Sequence, residues 1–159
     1  MAGGDGVVKK AGVVAIDSNV FIIDLRYRND IHFDINQRFL KRVYSSGDSV
    51  TSLINLLEII GILSFNLNER QLSEFYTYFP KRYNVDVIPS LTQNSHLPEL
   101  GIRRLLEIMA MKASFGDALV MGFLESYIPH ASYFVTWDKE HFEGKIGMKV
   151  LTPAEFMEL

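Results

Sequence analysis

The sequence predicts an α/β fold in which a central, mostly parallel sheet is wrapped by helices. Three observations lead there. Short apolar runs of strand length alternate with longer amphipathic stretches, the order that a parallel sheet with crossover helices requires. Two of those runs, 13–16 and 133–136, are apolar almost throughout, as strands buried on both faces must be, and each leads into an acid, Asp17 or Asp138. The stretch 53–65 is apolar on nearly every side, which suits a helix set deep in such a fold.

In chain order, 13–16 is the first strand, and a short helix follows from Ser18. Residues 34–46 read as a second helix, stopped by Ser45, Ser46 and Gly47, ahead of a short strand at 49–51. The deep helix 53–65 carries one narrow polar or small stripe, made of Asn55, Glu58 and Gly61. A further helix spans 68–79 and is ended by Pro80, which lacks an N–H and crowds the preceding turn. Residues 85–88 follow as a strand and 90–98 as a loop. Helices at 99–113 and 114–128 precede the strand 133–136. A last strand covers 149–151, after which Thr152, Pro153 and Glu155 open a terminal helix with a capping threonine, a proline at the first helical position and an acid at the third.

A chain of 159 residues with 48% hydrophobic content fits one core, so one domain is expected over 7–159, with residues 1–6 as a flexible N-terminus. The absence of cysteine excludes disulfides, thiolate zinc sites and a cysteine nucleophile. His32, His96, His130 and His141 lie far apart and form no local metal-binding pair. No apolar stretch approaches the roughly 20 residues of a membrane span, and the opening MAGGDGVVKK lacks the apolar centre of a signal peptide. A cytoplasmic protein without a membrane partner is therefore expected. The net charge of −3 speaks against a nucleic-acid partner, because phosphate binding draws on lysine and arginine. Basic groups do occur locally, as Arg26 with Arg28, Arg38 with Lys41 and Arg42, Lys81 with Arg82, and Arg103 with Arg104. Solvated helix faces explain these equally well.

Asp17 and Asp138 fall just beyond buried strands, where α/β proteins place their ligands. Glu58 sits in LINLLEIIGIL with no lysine or arginine between residues 43 and 69, so an ionised carboxylate there needs a cleft, a cation or a proton. Asp117 stands three residues after Ser114, the spacing of a capping box, and can be read as a cap. Asp17 alone can be an N-cap or turn residue, and Asp138 can start a loop. As a set, four carboxylates on an α/β scaffold suit a hard divalent ion acting on a phosphodiester.

These residues carry a family resemblance. The stretch VVAIDSNVFI from Val13 resembles the opening strand and helix of PIN domains, and Glu58 is similar to the glutamate that follows their second strand. FGDAL from Phe115 and FVTWDKEHF from Phe134 resemble the third and fourth acidic motifs, and KVLTPAEF from Lys149 the family's ending. The resemblance covers 13–156 and implies a three-layer α/β/α fold with about five strands. It also implies a ribonuclease that uses magnesium or manganese at Asp17, Glu58, Asp117 and Asp138, with Ser18, Asn19 and Thr136 orienting them. Glu140 reads as solvent-facing. RNA is then the substrate, and the likeness to VapC-like single-domain members adds a small antitoxin or other protein as a partner. An RNA-processing role fits equally, as does an inactive PIN-like module that binds RNA or protein.

Two departures stand out. Trp137 replaces a residue that is often small and polar, and the middle section 66–98 is long. Phe75, Tyr76, Tyr78, Phe79 and Tyr83 in that section can stack bases or form a partner surface, with core or dimer packing the commoner role, so a homodimer or a protein partner is expected there. Other aspartate-based folds fit less well. A haloacid-dehalogenase-like phosphatase needs a second aspartate where Asn19 stands, a receiver domain needs paired acids near its start, and a dinucleotide-binding fold needs a glycine-rich turn where this chain has DSNVF.

Overall fold

The computed structural model describes residues 12–159, so the expectation for residues 1–6 lies outside the described residues. Strand β1 (Val14–Ile16) is followed by α1 (Ser18–Arg26), α2 (Phe33–Ser46), β2 (Ser49–Ser52), α3 (Leu53–Leu63), α4 (Glu69–Tyr83) and β3 (Val85–Ile88). Then come α5 (Ile102–Ala110), α6 (Phe115–Tyr127), β4 (Tyr133–Val135), α7 (Lys139–Phe142), β5 (Lys149–Leu151) and α8 (Pro153–Met157). All neighbouring strands pair in parallel, in the order β3-β2-β1-β4-β5. The chain winds outward from β1 through β2 to β3, then returns to the other side of β1 for β4 and β5. This reversal puts a topological switch between β1 and β4, the place in an open α/β sheet where ligands commonly bind.

Burial follows the sequence pattern. Val14, Ala15, Ile16, Phe134 and Val135 are buried in the two central strands. Phe21, Phe39, Phe79, Phe123, Phe134 and Phe142 fill the space between sheet and helices. Helix α2 packs on α1 and α8, whereas α6 packs on α5, α3 and α7. Among the described residues, no helix is long and apolar enough to cross a membrane.

Helix ends obey local chemistry. Gly47 closes α2 at φ 70, in the left-handed region that favours glycine. The terminal capping box forms as expected, with Thr152 accepting from the Glu155 N–H and Glu155 accepting from the Thr152 N–H.

Some boundaries differ from the sequence reading. Helix α4 passes through Pro80 and ends at Tyr83 rather than at residue 79. An interior proline costs about 3 kcal/mol, but the turn beyond it is held by buried Phe79 and Tyr83 and by the Tyr83 hydroxyl, which donates to Asp24 Oδ2 at 2.7 Å. Helix α5 is shorter than the expected 99–113, and the short α7 had no periodic signal of its own.

The aromatic middle section is corrected in part. Phe79 and Tyr83 are buried and form edge-on contacts with Phe21 at 4.9 Å, while Phe75 and Tyr76 are half-buried against the core. Of the five aromatics, Tyr78 alone is largely exposed, at 63%. These rings serve mostly as core, because α4 crosses directly over α3 and the edge strand β3.

Candidate active site at the topological switch

The sheet register builds the site. Ile16 of β1 pairs with Val135 of β4, so the next residues, Asp17 and Thr136, leave the sheet side by side. The Asp17 N–H donates to Val135 O at 3.0 Å, and the Thr136 hydroxyl donates to Asp17 Oδ2 at 2.7 Å. Asp17 also caps α1, its Oδ1 accepting from the Ser18 N–H at 2.8 Å. Asp17 is therefore an N-cap whose second oxygen is held by Thr136 at the end of the neighbouring strand.

Helix α3 approaches from the other side. Ser52 caps it, accepting from the Asn55 N–H and donating to Asn55 Oδ1 at 2.7 Å. Asn55 is thereby oriented so that its amide donates to Asp17 Oδ1 and to Ser18 Oγ, both at 2.9 Å. One turn on, Glu58 accepts from Ser18 Oγ at 3.0 Å. Although Glu58 is exposed as a residue, its carboxylate leans onto this buried corner.

Asn19 ties in the fourth acid. Its amide donates to Thr136 Oγ1 at 3.1 Å and to Asp138 Oδ2 at 3.3 Å, and its carbonyl oxygen accepts from the Trp137 N–H at 3.2 Å. Asp138 precedes α7 without capping it. Asp117 lies in the first turn of α6. Its N–H donates to Ser114 Oγ at 3.2 Å, but its carboxylate does not close the box and stands 3.3 Å from His141 Nδ1 instead.

Asp17 stands within electrostatic reach of Glu58, Asp117 and Asp138. Burial pushes the Asp17 pKa up to about 6, with the Thr136 and Ser18 hydrogen bonds pulling the other way and the charges of Asp138 and Asp117 adding to the rise. Burial likewise lifts Glu58 to about 7, aided by the Asp17 and Asp117 charges and opposed by Ser18. Among the described residues, no lysine or arginine forms an ion pair with any of the four, and His141 alone stands beside one. No group of three His, Asp or Glu side chains among the described residues stands close enough to hold a metal ion as placed.

Ser18, Asn19 and Thr136 are hydrogen-bonded to Asp17, Glu58 or Asp138, whereas Asp117 is related to Asp17 and Glu58 only through its charge. Glu140 is exposed, as expected. Sequence reasoning passed over Asn55 as a functional residue, although its place three residues before Glu58 in the polar stripe was the available signal. His141 and His32 have no metal-binding partner nearby in sequence. The fold supplies partners instead, Asp117 for one and the Trp137 ring, at 4.0 Å, for the other.

No protein-family model matches the chain, and no curated protein matches it. Among solved structures, it is similar to a chain in the structure of FitAB bound to an IR36 DNA fragment, with a TM-score of 0.53 and 13% identity. The likeness covers 89% of this chain and 95% of that one. At that identity the likeness speaks to the fold alone, and together with the parallel five-stranded sheet and its surrounding helices it gives this chain a three-layer α/β/α PIN-like fold.

Proposed function

We propose that the chain is a single-domain, metal-dependent ribonuclease that hydrolyses RNA phosphodiester bonds at the topological switch. The observation that carries the reading is the electrostatic contact of Asp17 with Glu58, Asp117 and Asp138, with no lysine or arginine paired to any of the four among the described residues. An all-oxygen donor set of this charge suits magnesium or manganese, and the lack of cysteine removes the soft ligands that would favour other metals. Because the four carboxylates do not close into a ligating group as they stand, the fit is to an ion that takes one or two carboxylates and keeps several waters. When bound, such an ion supplies charge for the phosphate oxygens and lowers the pKa of water.

The chain's own residues do the rest. Thr136, Ser18 and Asn55 fix the Asp17 carboxylate in one orientation. Asn19 holds Asp138 in line with Thr136, and the Ser18 hydroxyl donates to Glu58. Glu58, with its pKa near neutrality, is suited to accept a proton from attacking water.

The test is cleavage of single-stranded RNA with magnesium or manganese, abolished by EDTA and by Asp117→Asn. The open spacing of the acids also favours a second reading, a PIN-like module that binds RNA or protein without cutting. RNA binding with no cleavage under any divalent ion would select it. The proposed partners besides RNA are a second copy of the chain and a small antitoxin-like protein, met in the cytoplasm. Support comes from Ile62, Phe65, Ile102, Leu106 and Phe115, apolar side chains left exposed on and near α3, α5 and α6. A strictly monomeric mass by light scattering at high concentration would remove the homodimer.

A further inference from the structure

Trp137 lies between two residues of the acid site, Thr136 and Asp138, and is fixed from three directions. Its N–H donates to Asn19 Oδ1 and its indole Nε1 donates to buried Asn36 Oδ1 at 2.9 Å. Asn36 in turn donates to Val20 O at 2.8 Å, so the indole is anchored through α2 to α1. The ring is half-buried against the core, and the imidazole of His32 covers it in a parallel stack, with centroids 4.0 Å apart and planes 16° from parallel.

His32 is exposed. It occupies the N-cap position of α2, yet its side chain caps nothing. The stack therefore ends on an exposed aromatic ring, and it is tied to Asp138 through Asn19. The loop that delivers His32 also carries Arg28, and α1 ends in Arg26 just before it. Both arginines are exposed and unpaired among the described residues. A flat aromatic end with cations on the same segment is the combination that holds an unpaired base while its backbone phosphates meet arginine.

We infer that the His32–Trp137 stack seats one nucleobase of a single-stranded RNA beside the scissile phosphate, with His32 as the contact and Trp137 as its support. The inference rests on the ribonuclease reading for the identity of the strand. It explains why the position before Asp138 holds the one tryptophan of the chain.

That tryptophan makes the test direct. The full chain, with magnesium present, is titrated with a short single-stranded RNA made cleavage-resistant by phosphorothioate linkages, and Trp137 fluorescence is followed. Saturable quenching is expected, with affinity about tenfold weaker in His32→Ala and restored to within about twofold in His32→Phe, which keeps a stacking ring. Circular dichroism confirms that the variants fold, as an exposed side chain that caps nothing should allow. On cleavable RNA, His32→Ala should raise KM and leave kcat nearly unchanged.

Equal binding by wild type and both variants, with cleavage retained, would overturn the base seat and leave the nuclease standing. Quenching and its His32 dependence without cleavage under magnesium or manganese would overturn the nuclease and leave the seat. Failure of the wild type to bind the RNA would overturn both.

Discussion

Replacing Asp17 by asparagine should make the metal-free protein more stable while destroying its proposed activity. Asp17 is only 6% exposed, and its pKa rises from 3.8 to about 6, burial being the main cause. At about 1.36 kcal/mol per pH unit, keeping this carboxylate charged in the folded state costs roughly 3 kcal/mol. The sign follows from linkage. A carboxyl with a raised folded pKa contributes stability that is fully present below the unfolded value and lost as pH rises through about 6.

Asparagine removes the charge but returns part of the gain. The Thr136 hydroxyl already accepts from Asn19 Nδ2 and from the Asp138 N–H, and it spends its proton on Asp17 Oδ2. An amide facing it in place of Oδ2 would leave one donor unmatched, at about 1 kcal/mol. The net expectation is a gain of roughly 2 kcal/mol near pH 8 in EDTA, or about 4 to 8 °C in Tm. Below about pH 4 the gain should vanish or reverse, because Asp17 is then neutral in both states. Urea titrations of parent and variant at the two pH values measure it. A variant less stable than its parent near neutral pH in chelator, or a difference that does not shrink on acidification, would refute the assignment of Asp17 as a destabilising buried charge.

Asp117→Asn should leave the fold intact, since the Ser114 cap uses the backbone N–H of residue 117, yet RNA cleavage should fall by orders of magnitude; cleavage at the wild-type rate would make Asp117 a structural residue. Affinity for magnesium or manganese should climb as pH rises through about 6 for Asp17 and about 7 for Glu58, because protons compete for the same oxygens. Calorimetric titration checks this, and a flat profile would contradict it. Thr136→Val keeps the shape but leaves the Asp138 N–H and the Asn19 amide without their shared acceptor, so a loss of about 1 to 3 kcal/mol is expected. An unchanged urea midpoint would show that these bonds contribute nothing to stability.

Much of the fold was legible because burial on two faces forces a recognisable pattern. The runs before Asp17 and Asp138 suit strands buried on both faces, and the pairing of β1 with β4 then puts the two acids beyond neighbouring strand ends. Glu58 was legible for the opposite reason, a charge stranded in an apolar helix with no partner nearby in sequence. What escaped were relations that only tertiary structure creates. Pro80 looks like a helix end locally, but packing of Phe79 and Tyr83 carries α4 onward. His32 and His141 have no local partner, and their neighbours lie on elements distant in sequence. Asn55 resembled an incidental polar residue until the Ser52 cap aimed it at Asp17. The aromatic section misled because ring density reports how much apolar surface exists and not which side of a helix it covers.

The bonding around Asp17 limits which ion the proposed metal site would accept. A carboxylate offers about four lone pairs, two on each oxygen. Those of Oδ1 are taken by the Ser18 N–H and the Asn55 amide, and one on Oδ2 is taken by the Thr136 hydroxyl. A single lone pair stays open, on Oδ2, so Asp17 can grip a cation with one oxygen only. Calcium gathers roughly six to eight oxygens and often takes carboxylates by both, whereas the smaller magnesium accepts single contacts and completes its octahedron with water. Discrimination by ionic size would then be set by a backbone amide and an asparagine side chain that never touch the ion.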